Sequence, residues 1–349
     1  MEGTRVLVTG ATGFIAGHCV EELLTHGYVV RGTVRDQRTA DVAHLEAIAA
    51  RTGGSLELVQ VGLDSDAGWD NAVDGCSYVW HIASPFPATV PRDEDEVIRP
   101  AVDGTLRVLR SAAASASVRR VVLTSSIAAI AVGHDASRVL DESDWSLLDD
   151  TQPYQKSKTL AERAAWDFAR ESGMELVTIN PGQVLGPLQR PHRPTSLEMI
   201  RRILGHELPA VPDLGLSSVD VRDVAAAHLL ATRTPHAAGN RYICSGDHLW
   251  VRDVAAILAE EYRPRGYRIP TRVMPYWLLW TAGRFDPAAR LALTFAGRRQ
   301  LVTARKARDE LGWTMRPVRE SVIDTAESLL GYGVVRRSAT DETVRATRS

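Results

Sequence analysis

Seven short runs of apolar, largely β-branched residues punctuate the first 250 positions: Arg5–Thr9, Tyr28–Val30, Leu56–Val59, Tyr78–Ile82, Val121–Thr124, Leu176–Ile179 and Arg241–Ile243. Each has the length and bounding residues of a buried strand. Between them the apolar positions shift to helical spacing. Ile15, Cys19 and Leu23 form one stripe ending at Gly27, and Val102, Leu106 and Leu109 form another. Alternating strands and helices predict right-handed crossovers and a parallel sheet covered on both faces, the doubly wound α/β class.

Beyond Asn180 the pattern loosens into Pro181-Gly182, Gly186-Pro187 and Arg190–Pro194, followed by a helix-like piece over Leu197–Leu204. Sheet patterning returns near Val219–Ser245, and the chain then reads as helices with aromatic and basic residues. The expected division is a sheet domain over 1–184 plus about 217–247 and a smaller, mainly helical domain built from the discontinuous segments 185–216 and 248–335. The polar stretch 336–349 lacks periodicity and is expected to be disordered.

Charge narrows the partners. With 41 basic against 43 acidic side chains the net charge is -2, so no global field draws in nucleic acid or an anionic membrane. Neither is expected as a partner. The 3 cysteines, Cys19, Cys76 and Cys244, stand singly, without the paired spacing of a zinc site or a disulfide framework. The histidines do not gather at metal spacing either, so no metal is implied. The first strand begins at Arg5, no leader-like segment precedes it, and no apolar run reaches the length of a membrane span. A reducing, cytoplasmic setting is the expectation.

The first run leads into Thr9-Gly10-Ala11-Thr12-Gly13-Phe14-Ile15-Ala16-Gly17, with the spacing Gly10-x-x-Gly13-x-x-Ala16. Glycines at a strand-to-helix turn let backbone amides close on a pyrophosphate at the helix N-terminus. A strand before, a helix after and a second strand about 20 residues later supply the context this signal needs. That second strand ends Gly32-Thr33-Val34-Arg35-Asp36, where a side chain meets the adenosine ribose. An arginine there pairs a 2′-phosphate, so Arg35, with Arg38 as a second cation, points to NADPH. Asp36 is the rival: a strand end displaced by one residue would aim its carboxylate at a free diol and favour NAD. A solvated loop is the plain alternative.

Tyr154-Gln155-Lys156-Ser157-Lys158 opens a helix-like stretch behind Pro153, and the four-residue spacing puts Tyr154 and Lys158 on one face. A free phenol titrates near about 10, so a neighbouring ammonium is the means by which a tyrosine becomes useful in proton transfer. The fifth run ends Thr124-Ser125-Ser126, at the carboxyl edge where such sheets bind ligands. No Gly-x-Ser-x-Gly elbow surrounds these serines, which favours a hydrogen-bonding role over a nucleophilic one. Capping of the strand end is the alternative.

Taken together these residues resemble the extended short-chain dehydrogenase/reductases, in the branch holding dihydroflavonol reductases, cinnamoyl-CoA reductases and yeast-type or bacterial carbonyl reductases. The resemblance runs from about Arg5 to Tyr332. Besides the motifs above it is carried by His81-Ile82-Ala83-Ser84-Pro85, Val102-Asp103-Gly104-Thr105, Asn180–Pro187, Val219–His228 and Glu310-Leu311-Gly312-Trp313. It implies a catalytic set of Ser126, Tyr154 and Lys158, with Tyr154 protonating a carbonyl oxygen and Lys158 holding the nicotinamide ribose and lowering the tyrosine's pKa. It further implies cofactor contacts from Gly10, Thr12, Gly13, Phe14, Ile15, Arg35 and Arg38. Leu63 and Asp64 would lie against the adenine, Ala83, Ser84 and Pro85 beside the pyrophosphate and ribose, and Pro181 and Val184 against the nicotinamide. Asp103 stands where many extended members carry an asparagine, and Ala16 replaces the third glycine.

The expected activity is NADPH-dependent reduction of a small aldehyde or ketone by a monomer or homodimer. The rival readings are a nucleotide-sugar epimerase or dehydratase retaining NAD, and a non-catalytic dinucleotide sensor. His81, in a buried strand, reads as a satisfied core residue. The seven basic residues between Arg298 and Arg319 read as a solvated helix face. Pro275–Trp280 fits a pocket wall, a dimer contact or plain core.

Overall fold

The computed structural model describes residues 3–84, 93–149, 151–285 and 299–338, with 293, 297 and 341 besides. Its centre is a parallel sheet of seven strands: β1 (Arg5–Val8), β2 (Val29–Val34), β3 (Leu56–Gln60), β4 (Tyr78–His81), β5 (Arg120–Thr124), β7 (Glu175–Pro181) and β10 (Arg241–Cys244). β6 is the short Val139–Leu140, β8 is Gln183–Leu185 and β9 is Gly215–Asp220. The spatial order β3-β2-β1-β4-β5-β7-β10 reverses direction between β1 and β4, as in the doubly wound class. All seven apolar runs of the sequence are these seven strands.

Alternation along each strand feeds two cores. From β1, Val6 and Val8 join Cys19, Val20 and Leu23 of α1 (Phe14–Thr25) in a core shared with Trp80 and with Val224 and Ala227 of α7 (Val221–Arg233). Leu7 points the other way, into a core with Trp69, Val79, Val108, Leu109, Val121 and Ala165. That core is closed by α4 (Asp95–Ala114) and α5 (Pro153–Ser172). Helix α4 begins at Asp95, ahead of the Val102–Leu109 spacing, and runs through Pro100. α2 spans Ala43–Thr52 and α3 Trp69–Val73.

A third cluster gathers Leu197, just ahead of α6 (Glu198–Leu204), Ile200 and Ile203 of α6, Val254 and Leu258 of α8 (Val251–Tyr262), Leu279 of α9 (Tyr276–Ala282), and Val322 and Leu329 of the helix Val318–Gly331. The small sheet β8-β9-β11, with β11 over His248–Trp250, joins this lobe to the first. Of the tail expected to be disordered from Arg336, residues 336–338 and Asp341 are described, and the Asp341 carboxylate accepts from Arg265 Nε and Tyr267 OH, both at 2.9 Å. Residues 339–340 and 342–349 lie outside the described ones.

Buried histidines give the fold a pH signature. His81 is pushed down to about 3, first by burial and then by Lys158, and His228 down to about 4 by burial. His44 is held at about 4 by burial and by Arg190. Below 6.5 the unfolded chain takes up protons that the folded one refuses, so stability falls as pH drops from 6.5 toward 4. We expect a melting temperature lower by roughly 5–10 °C at pH 5 than at pH 7. Thermal melts across this range check it, and a flat profile would refute the assignment. His228→Gln should remove part of the slope.

Candidate active site

The turn after β1 is built around Thr9. Its Oγ1 accepts from the amides of Ile82 (3.0 Å) and Ala83 (2.9 Å) and lies 2.9 Å from His81 Nδ1. With both amides donating to Oγ1, the hydroxyl proton goes to Nδ1, which fits a neutral His81 in the core. This ties β1 to β4 at the point where the strand order reverses. Gly10 adopts φ +64, and a Cβ there would come within 3.0 Å of Ala83 Cβ, so the turn needs glycine on both conformational and steric grounds. Its amide donates to Thr33 Oγ1 at 2.9 Å. Helix α1 then starts behind Gly13 with no side-chain cap, leaving its first-turn amides for an anion.

These residues open onto a single cleft of about 1620 Å³ along the carboxyl edge of the sheet. Its walls include Gly10, Thr12, Gly13, Phe14 and Ile15 of the turn, Arg35 beyond β2, Leu63 and Asp64 beyond β3, and Ala83 and Ser84 beyond β4. Ser126, Tyr154, Lys158, Pro181 and Val184 complete the same cleft. Pro85 lies outside the described residues.

Arg38 is the exception. Its side chain is 89% exposed and turns onto Asp36, 3.5 Å away, instead of into the cleft. Asp36 accepts the Arg38 amide at 2.9 Å, so this carboxylate closes its own turn. The pair closes a two-residue side-chain turn beside the wall, with the Asp36 carboxylate turned onto its own loop. Arg35 stays on the wall, and among the described residues no ion pair or hydrogen bond engages its guanidinium.

The two serines separate clearly. Ser125 is buried, and its hydroxyl donates to Glu162. Ser126 caps the short helix Ile127–Ala129, accepting from Ala128 N at 3.1 Å, and faces the cleft with its hydroxyl proton still to give. Capping and exposure to the cleft thus coexist at one residue. Tyr154 stands in the first turn of α5 behind Pro153, with Lys158 one turn on, both half-buried. Burial pushes the Tyr154 phenol up to about 12 and the Lys158 ammonium down to about 8. Burial favours the neutral phenol, the form that has a proton to give.

Sequence reading passed over several groups the structure assembles. Glu162 continues the Tyr154–Lys158 face by one more turn, a spacing that was available as a signal. Asn180, at the end of β7, donates to the Ser126 carbonyl at 3.2 Å and to Glu162 at 2.7 Å. The far half of the cleft, with Val132, Met199, Leu208, Leu214, Met274 and Leu279, comes from distant segments without a motif. Within Pro275–Trp280, Leu278 and Leu279 line this wall, whereas Tyr276, Trp277 and Trp280 point outward. Of the basic run near the C-terminal end, Arg305 and Arg308 lie exposed, whereas Arg316 pairs with Asp223 and Arg319 with Glu260.

The segment after β8 is fastened to both lobes. Arg190 donates to the Thr12 carbonyl at 3.0 Å and Gln189 to Glu21 at 2.5 Å, while Pro187 O accepts from His18 at 2.9 Å. On its other side the Gly186 and Leu188 amides donate to Thr325 (2.7 Å) and Ser328 (2.9 Å).

Comparison with known proteins agrees with this layout. A profile of the NAD dependent epimerase/dehydratase family matches residues 6–244. Cinnamoyl-CoA reductase 2 of Medicago truncatula is 41% identical over 285 residues, 78% of this chain and 82% of that protein. Vestitone reductase from alfalfa (Medicago sativa) superposes with a TM-score of 0.76 at 27% identity, covering 95% of this chain and 99% of its own. The yeast methylglyoxal/isovaleraldehyde reductase Gre2, solved with NADPH, gives a TM-score of 0.77 at 31% identity, again over 95% and 99%. Among the described residues no helix is long and apolar enough to cross a membrane, and no group of metal-ligating side chains gathers.

Proposed function

The chain belongs to the NAD dependent epimerase/dehydratase family, within the extended short-chain dehydrogenase/reductases, and we propose that it is an NADPH-dependent reductase of a small aldehyde or ketone. The observation that carries this reading is the continuity of one cleft from the Gly10–Ile15 turn, past Arg35, to Ser126, Tyr154 and Lys158. The residues present fit the cofactor. The Gly10 turn leaves room where a Cβ would strike Ala83, the α1 amides suit a pyrophosphate, and Arg35 offers a cation where a 2′-phosphate would sit. Ala83, Ser84, Leu63 and Asp64 would hold the adenosine half, and Pro181 and Val184 the nicotinamide.

The bound cofactor would supply the hydride. Ser126 donates its hydroxyl to the substrate carbonyl oxygen and orients it. Tyr154, kept neutral by burial, gives that oxygen its proton as negative charge develops, and the Lys158 ammonium steadies the phenolate left behind. Beyond Tyr154 the wall of Val132, Met199, Leu208, Leu214, Met274 and Leu279 suits a substrate with an apolar body.

The test is fluorescence titration with NADPH and NADH, followed by cofactor oxidation in the presence of aromatic and aliphatic aldehydes, ketones, an aryl-CoA thioester and a nucleotide sugar. Preferential NADPH binding with carbonyl-dependent oxidation is the expected result. Tight NAD retention with conversion of the nucleotide sugar would replace this reading by the epimerase one, and binding without any turnover would leave a sensor.

A further inference from the structure

We propose that Glu162 is a positioning residue of this site: its buried carboxylate is the counter-charge of Lys158 and frames the strand ends that carry Ser126. This rests on the reductase reading for what Lys158 does in turnover, and on the four-residue spacing along α5 and the burial of the carboxylate for how its charge is matched.

Glu162 follows Lys158 on α5 as Lys158 follows Tyr154, so one helix face carries all three. Its side chain is 0% exposed. Oε1 accepts from Arg241 Nε (2.7 Å), Thr178 Oγ1 (3.2 Å) and Trp166 Nε1 (3.3 Å). Oε2 accepts from Asn180 Nδ2 (2.7 Å) and from the Ser125 hydroxyl. Donors crowd both oxygens, so the carboxylate serves as an acceptor on each side. Three strands thereby converge on one group: β5 through Ser125, β7 through Thr178 and Asn180, and β10 through Arg241. Asn180 passes the link to the Ser126 carbonyl.

A buried ion pair is often matched or exceeded in stability by apolar residues of the same volume, so stability alone does not call for one here. Arg241 has other anchors: it donates to the carbonyls of Glu142 (2.9 Å) and Asp144 (2.7 Å) and stacks 3.8 Å over Trp145. The groups around Lys158 define its field. Its own helix offers Tyr154 and Glu162, and β4 offers His81, neutral in the core. β10 places Arg241 behind Glu162, and α4 brings Arg99, Asp103 and Arg107 to the cleft wall. Burial drives Lys158 down to about 8, and Glu162 is the influence that opposes it. Without that carboxylate the lysine would lose its charge closer to neutral pH.

Three variants test this: Glu162→Gln, Glu162→Gln with Arg241→Gln so that no buried charge is left unpaired, and Glu162→Asp, which keeps the charge. Lys158 is titrated by NMR of its labelled Nζ in the protein without cofactor, and the alkaline limb of kcat is recorded alongside. In the glutamine variants we expect both to move down by about one pH unit. Glu162→Asp should return them toward the parent protein. The double variant gives the answer where the single one does not fold. A Lys158 titration that stays put in a folded glutamine variant overturns the proposal, because a purely structural carboxylate would not move it. A shifted lysine titration in a protein that reduces no carbonyl would instead remove the reductase reading and leave the pairing in place.

Discussion

Tyr154→Phe is expected to lower kcat for carbonyl reduction by about 10²–10⁴-fold, the usual worth of a positioned general acid. NADPH affinity should stay within a few-fold, because the ring remains and the turn around Gly10 is untouched. Burial holds the phenol near 12, so Tyr154 is still protonated wherever the protein is assayed and does not set the alkaline limb. Lys158 does: its charge is lost as pH rises through about 8, and reduction should slow over that window. Steady-state kinetics of the variant, with cofactor binding measured separately, decide the matter. If turnover persists at the parent rate, another group is the proton donor and Ser126 becomes the first to examine.

Arg35→Ala should raise the Kd for NADPH by about 10–100-fold, as expected for charge-assisted hydrogen bonds of about 1.5–3 kcal/mol. NADH binding should change little, since the guanidinium has no other partner among the described residues. Arg38→Ala is the internal control. Its side chain lies in solvent against Asp36, so cofactor preference should be nearly unmoved. Titrating both variants with both cofactors checks the pair. Equal losses of NADPH and NADH in Arg35→Ala would mean that the arginine shapes the turn without reading the phosphate.

Local patterns in the chain were enough to place the seven strands of the main sheet, because each is a buried apolar run between turn residues and its identity depends on near neighbours. The glycine turn and the Tyr154–Lys158 pair were legible for the same reason. The short strands β6, β8, β9 and β11 escaped, being two to six residues long and fixed by partners far away in the chain. The direction Arg38 takes was out of reach, because charge and proximity to Arg35 say nothing about an Asp36 side chain folding back on the Arg38 amide. The effect of burial on Tyr154 was out of reach, because a sequence shows which groups are neighbours but not how they are desolvated. The apolar half of the cleft was out of reach altogether: Val132, Met199, Leu214 and Met274 meet only after the helical lobe has packed.

The bonds that tie Arg190 to the glycine turn, and Gln189 and Pro187 to helix α1, bear on anyone who would redesign this protein for another substrate. The segment that leads into the apolar wall is also the strut beneath the Thr12 carbonyl. Loop grafting between Leu188 and Pro194 therefore works on the floor of the nucleotide site as well as on the substrate pocket. A library randomised there would lose many members to weakened cofactor loading before their selectivity could be read. Libraries that spare Gln189 and Arg190 and vary Met199, Leu208 and Met274 instead would leave that strut standing.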